Sequence, residues 1–194
     1  MTDNLIQHIE HYTKLNDTEI TGLRKILIKK SYSKNEIFFA EGRISKEIYF
    51  VTKGCVRLFY NVDGKDRTAF FYTEGQFICA GESFTYGVPA KENYQAIEDT
   101  ETYVFDKPNY EELMKVSSKF EVIARIATEN ELITYQKMVA SFVTKSAEER
   151  YIELLETNSN LFQRVPQQYI ASFLGVSPET LSRIKKRIFG KNHS

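Results

Sequence analysis

The 194-residue sequence predicts an α+β fold: an N-terminal antiparallel β-roll (jelly roll) with flanking helices, then one long helix, then a small helical C-terminal unit. Three observations carry this expectation. Between Tyr32 and Phe105, short stretches of Ile, Val, Phe and Tyr are punctuated by Gly42, Gly54, Gly64, Gly75, Gly81 and Gly87, the texture of short strands and tight turns. From Ser118 to about Val143 apolar residues advance in steps of three and four, as on one face of a helix. With 42% apolar residues the chain can bury a core, and it has no low-complexity segment or internal repeat.

The N-terminal segment from Asp3 to Lys30 places Leu5, Ile6 and Ile9, then Ile20, Leu23, Ile26 and Leu27, at helical spacing, with Asn16 or Asp17 available as a cap. One or two amphipathic helices are expected there. Within the roll, Val56 to Tyr60 and Thr68 to Tyr72 flank Asp63-Gly64, a dipeptide suited to the positive backbone angles of a hairpin turn. Beyond Pro108 the pattern is helical: a short helix from Asn109 to Val116, then the long one carrying Phe120, Ile123, Ile126, Leu132, Tyr135, Met138, Val139 and Phe142. A helix of about 26 residues is roughly 39 Å long, long for so small a domain. Part of its stripe is therefore expected to pack on a second copy, making a homodimer; the alternative is that it covers only its own roll. Ser146-Ala147-Glu148-Glu149 fits a capping box, so a new helix starts there and Val143 to Lys145 form a hinge. The expected division is a roll and dimerisation unit over 1–144 and a second unit over 145–194.

Several classes are excluded or disfavoured. No apolar run is long enough to cross a membrane, and the N-terminus has no signal-peptide pattern. Cys55 and Cys79 are the only cysteines, which argues against a disulfide framework and against a four-thiolate cluster, and suits a reducing, cytoplasmic setting. The three histidines, His8, His11 and His193, lie at the chain ends, so no histidine metal cluster forms in the middle of the fold and the metal-dependent enzymes built on β-rolls are disfavoured. With no P-loop and no nucleophile motif either, the chain is not expected to be an enzyme, and no catalytic or metal residue is assigned.

The most informative stretch is Val165 to Ile188. Pro166 suits the first position of a helix carrying Ile170, Ala171 and Leu174, and Gly175 suits the left-handed conformation that ends it. Ser177 then caps a second helix that turns Leu181, Ile184 and Ile188 inward. Two short helices joined by a glycine turn, with small Ala171 where they cross, form a helix-turn-helix signature. The second helix presents Glu179, Thr180, Ser182, Arg183 and Lys186 outward. Arg can donate two bonds to guanine O6 and N7, and Glu can accept from cytosine N4; the alternative for Glu179 and Arg183 is an intrahelical ion pair. The zero net charge hides an asymmetry: from Leu161 onward there are six basic residues and one acidic, leaving 20 basic and 25 acidic before it. A basic segment on an acidic body suits a module that meets a polyanion.

At this point the sequence resembles the Crp/Fnr regulators. Gly175, Ser177, Glu179, Thr180, Arg183 and Ile184 resemble that family's recognition helix, and Lys53-Gly54-Cys55-Val56, Gly64, Gly75-Gln76-Phe77-Ile78 and Gly81-Glu82 are similar to its cyclic-nucleotide-type roll. The resemblance implies that Glu179 and Arg183 contact a guanine-containing half-site; Pro178 stands where better-known members carry a further Arg, so the half-site sequence stays open. Cyclic AMP is disfavoured as effector, because Glu92-Asn93 stands where family members hold the phosphate with Arg-Ser or Arg-Thr. Arg57 or Arg67, on neighbouring strands, could supply the missing charge. Gly81, Glu82 and Asn93 are the candidate effector residues, with Gly81-Glu82 read alternatively as a turn of the roll. The family's haem and iron–sulfur sensors are disfavoured by the ligand counts. After Ile188 six residues remain, too few for the two-stranded wing that usually follows, so phosphate contacts fall to Gln167, Gln168, Lys185, Lys186 and Arg187. The expected function is a sequence-specific DNA-binding transcriptional regulator, a homodimer answering to an unknown ligand or partner. Its partners would be double-stranded DNA and RNA polymerase, with no membrane and no cofactor. The alternative is a cyclic-nucleotide sensor that regulates another protein.

Overall fold

A computed structural model describes residues 3–190. Helices α1 (Asp3–Glu10) and α2 (Asp17–Ile26) open the chain. Asn16 caps α2 in a full capping box, its side chain accepting from the Glu19 amide while the Glu19 carboxylate accepts from the Asn16 amide. The helical pattern had been expected to run to Lys30. Instead Leu27 turns extended, with φ −73° and ψ 126°, and Ile28 begins a strand that pairs with the last strand of the roll.

The roll is two four-stranded antiparallel sheets. One has the order β1 (Ile28–Tyr32), β8 (Thr100–Asp106), β3 (Glu47–Lys53), β6 (Phe77–Ile78); the other β2 (Ile37–Phe39), β7 (Asn93–Ala96), β4 (Val56–Val62), β5 (Lys65–Tyr72). The β4–β5 hairpin closes through Asp63 at φ +52° and Gly64 at φ +73°, both in the left-handed region as the Asp-Gly pair predicted. Its register slips between Leu58 and Phe59, so Ala69 bulges out of the ladder. Gly81 does not make a turn. It opens a short helix, α3 (Gly81–Tyr86), which ends in the left-handed Gly87.

Helices α4 (Lys107–Val116) and α5 (Ser118–Thr144) follow, α5 lying along the roll. The Tyr72 and Tyr135 hydroxyls meet at 2.9 Å, and Lys119 of α5 bonds Glu19 of α2 at 3.0 Å. Helix α5 ends where expected: Lys145 is extended, and Ser146 caps α6 (Ala147–Thr157) in a capping box with Glu149. Helices α7 (Leu161–Arg164), α8 (Gln167–Phe173) and α9 (Pro178–Gly190) complete the chain. Pro166, expected as the first helical residue of α8, is instead its N-cap, one position before the helix starts at Gln167.

The C-terminal helices pack onto the outer face of the second sheet. An ordinary half-covered strand alternates buried and exposed residues, yet Val56, Arg57, Leu58 and Phe59 are all buried. Val56 and Leu58 face the inside of the roll, where they join Phe38, Tyr49 and Tyr94, while Arg57 and Phe59 face the C-terminal helices. Arg57 is 2% exposed, and its guanidinium lies 4.0 Å from the ring centre of Phe59 and 3.9 Å from that of Tyr169 in α8. It donates to Gln95 at 2.6 Å and to Asp66 at 2.7 Å. Phe71 meets Phe173, and Cys55, Phe71 and Ile97 of the roll share one core with Tyr151, Ile170, Leu174 and Leu181. Strand β5 is a sheet edge, and its Thr68 amide donates to the Ser172 hydroxyl of α8 at 2.9 Å. Arg164 of α7 pairs with both Glu74 and Glu98 of the roll.

Removing the Arg57 side chain leaves Gln95 without its donor and opens space between two rings. Arg57→Ala is expected to destabilise the chain by about 2–3 kcal/mol, less than a fully buried pair because Asp66 is partly in water. Urea denaturation followed by tyrosine fluorescence measures the loss.

Candidate functional site

The C-terminal helices build a two-helix unit from local rules. Helix α8 is capped by Leu174, Gly175 takes φ +72°, and the Val176 amide reaches back to the Ala171 carbonyl at 3.0 Å, a Schellman closure. Ser177 accepts from the Thr180 amide at 3.2 Å and so starts α9. Ala171 is wholly buried at the crossing, where a larger side chain would separate the helices, and Leu181 and Ile184 hold α9 from beneath.

That packing leaves the other side of α9 in solvent. Ser177, Glu179, Ser182, Arg183 and Lys186 are exposed, with Thr180 half-buried, and Gln167 and Gln168 are exposed at the start of α8. The structure thus brings all eight sequence-selected residues to the surface of one two-helix unit. Arg183 donates to the Thr180 hydroxyl at 3.0 Å, so its bond within the helix goes to threonine and not to Glu179. Hydrogen bonding from the Ser177 hydroxyl, with Arg183 nearby, holds the Glu179 carboxyl below its ordinary range. Lys185 is half-buried, and Arg187 is exposed and paired with Glu148 of α6.

Sequence reasoning missed Arg150. Its guanidinium lies 4.5 Å from the ring centre of Phe142 near the end of α5, and it donates to the carbonyls of Lys145 and Leu174 at 2.7 and 2.8 Å. One side chain on α6 therefore ties the hinge to the glycine turn. An isolated Arg within an amphipathic helix carries no signal of this role.

A second feature is a cavity of about 640 Å³ between the roll, α3, α4 and α5. Of the three effector candidates only Gly81 lines it. Glu82 is exposed on α3. Asn93 is buried in β7, where it accepts from the Glu41 amide and donates to the Phe59 carbonyl, a strand-tying role. Glu92 accepts from the amide of Lys91 and does not line the cavity. Arg57 is committed to the domain contact and Arg67 is exposed on β5, so neither puts a charge into the cavity. The carboxylate that does face it is Glu131 of α5, which accepts from Tyr72 and Tyr135. Burial pushes the thiol of Cys79, also in the lining, up to about 12.

Residues 29–117 match the cyclic nucleotide-binding domain family. The whole architecture matches solved regulators: FixK2 from Bradyrhizobium japonicum at 22% identity, with 86% of each chain covered and a TM-score of 0.73. A protein from Eubacterium rectale assigned to the transcriptional regulators of the Crp/Fnr family matches at 16% identity, over 95% of this chain and 88% of that one, with a TM-score of 0.73. The chain has the fold of the Crp/Fnr regulators. CLP of Xanthomonas campestris, a global regulator responsive to c-di-GMP, shares that Crp/Fnr fold at 15% identity, over 91% of this chain and 93% of that one, with a TM-score of 0.75. No curated protein matches the chain. Among the described residues no helix is long and apolar enough to cross a membrane.

The glycine turn is sensitive to any added side chain, since a Cβ at Gly175 would demand a strained left-handed conformation and would approach Phe142 Cε1 to 3.4 Å. Gly175→Ala is expected to cost about 1–2 kcal/mol, read as a lowered denaturation midpoint.

Proposed function

We propose that the chain is a sequence-specific DNA-binding transcriptional regulator that acts as a homodimer, with residues 1–144 as sensor and dimerisation unit and residues 145–194 as the DNA-binding unit. The observation that carries this reading is the outer side of α9, where Glu179, Ser182, Arg183 and Lys186 stand in solvent on a helix anchored from beneath. Such a helix fits the major groove, with first-turn residues near base edges and later ones near phosphates. Gln167 and Gln168, at the start of α8, are placed to bond phosphate. No catalytic group is assigned, RNA polymerase is the protein partner, and the cytoplasm is the setting.

The dimer surface is the outer side of α5. Val122, Leu132, Ile133, Val139 and Val143 are exposed at 40, 55, 45, 60 and 80%, on the side away from the roll. The stripe expected from the sequence is thus divided. Phe120 and Ile123 are buried against the chain's own core, while Leu132 and Val139 remain uncovered. Covering them with a second α5 removes apolar area from water at roughly 25 cal/mol per Å². Leu132→Asp would place an unpaired carboxylate in that contact and is expected to shift the chain to monomer and weaken DNA binding, measured by sedimentation and by duplex titration.

Selection of bound sequences from a random duplex pool supplies a preferred site, and no enrichment, or binding without salt dependence, would refute the reading. On that site Arg183→Ala is expected to cost about 1–3 kcal/mol and relax choice at one base pair. Lys186→Ala is expected to weaken preferred and scrambled duplexes alike and to lower the salt slope by about one. Titrations of both variants over a salt series separate the base reader from the phosphate contact.

A further inference from the structure

The cavity between α5 and the roll has the size of a small-molecule site, about 640 Å³ where such sites commonly hold roughly 300–1,000 Å³. Its walls are aromatic and apolar, drawn from separate elements: Phe77 of β6, Phe84 of α3, Tyr110 and Met114 of α4, and Phe120 and Ala127 of α5. Rings presented at varied angles favour a guest that can meet their edges and faces.

The cationic groups in the lining are already engaged or neutral. Lys107 donates its ammonium to the Phe84 carbonyl at 2.7 Å and lies 5.1 Å from the centre of that ring. His8 stands among the rings of Tyr12, Phe50 and Phe77, and burial, with His11 adding to it, lowers its pKa and keeps it uncharged at neutral pH. The charge that does face the space is negative. Glu131 accepts from Tyr72 at 3.3 Å and Tyr135 at 2.8 Å, both through Oε1, and a carboxylate has about four lone-pair sites, so it can accept a further donor. An anionic ligand would lose its hydration there and gain repulsion.

Nor is a second copy of the chain the occupant. Ala127 and Thr134, which line the cavity, lie roughly 120–180° around α5 from Val122, Leu132, Val139 and Val143, so the cavity opens away from that stripe. We propose that this cavity binds an uncharged aromatic molecule that presents one hydrogen-bond donor to Glu131. The proposal rests on the reading of the chain as an effector-responsive regulator, and it names the class of the effector. A guest there touches the roll, α3 and α5 together, and α5 continues to Phe142, which packs on Arg150 beside the glycine turn.

The test uses the full chain and N-phenyl-1-naphthylamine, an uncharged aromatic amine with a single N–H, titrated by its fluorescence and by calorimetry. The expected result is saturable binding of one probe per chain, not displaced by excess cyclic AMP or by a long-chain alcohol. Ala127→Phe fills the space and is expected to weaken binding about tenfold or more; Thr134→Phe makes the same test where the first variant fails to fold, with far-ultraviolet circular dichroism reporting the fold. Glu131→Ala is expected to weaken the N–H probe severalfold while leaving its N-methyl analogue unaffected. Absence of saturable binding, binding unchanged in both filled variants, displacement by cyclic AMP, or displacement by the alcohol would each overturn the proposal. Probe binding as expected in a chain that selects no duplex would overturn the regulator reading and leave the cavity assignment standing.

Discussion

The guanidinium of Arg57 decides where the C-terminal helices sit. Held edge-on by Gln95 and Asp66 of the roll, it offers its two faces to Phe59 on one side and Tyr169 on the other. Because the group is planar and always charged, it can stack on two rings while its edge bonds carboxylate and amide, which a lysine in its place could not do. Its own burial is tolerable only while Tyr169 covers it, so the outer sheet face and helix α8 depend on each other. Arg164, bridged to Glu74 and Glu98, fixes the rotation of the C-terminal unit about that point.

Helix α5 serves two surfaces at once. Its inner side, through Phe120, Ile123 and Glu131, belongs to the roll and the cavity, and its outer side carries the apolar stripe. A helix apolar on opposite sides has little net amphipathicity. Its last turns then meet Arg150, which bonds the carbonyls on either side of the hinge and the glycine turn. Roll, long helix and two-helix unit are thus joined by specific side chains, and not only through the backbone.

What was legible in the sequence was what local rules decide. The Asp63-Gly64 hairpin, the capping box at Ser146, the end of α5 and the glycine closure at Gly175 each follow from a few neighbouring residues and came out as expected. The surface residues of α9 were legible for the same reason, since helical period and one cap fix which side is free. The surroundings of the cavity were not. Position along the chain from Gly81-Glu82 points to Glu92 and Asn93, whereas Gly81 opens a helix that lines the cavity and Asn93 lies inside β7, bonding backbone. The cavity's carboxylate, Glu131, comes from an element some forty residues further on, and Arg57's partner Tyr169 lies beyond a hundred. Contacts of that span have no period to betray them.

The bond from the Thr68 amide to the Ser172 hydroxyl has a consequence for the chain's behaviour in concentrated solution. Strand β5 is the rim of its sheet, and the rim of a sheet is a template on which another strand can grow. Here the helix that leads into the glycine turn also serves as its cover, with Ser172 satisfying a rim amide and Phe173 seated on Phe71. Any motion that lifts this unit from the roll would uncover a ready-made site of self-association, so freedom of the C-terminal helices and resistance to aggregation are set against each other by the same few side chains.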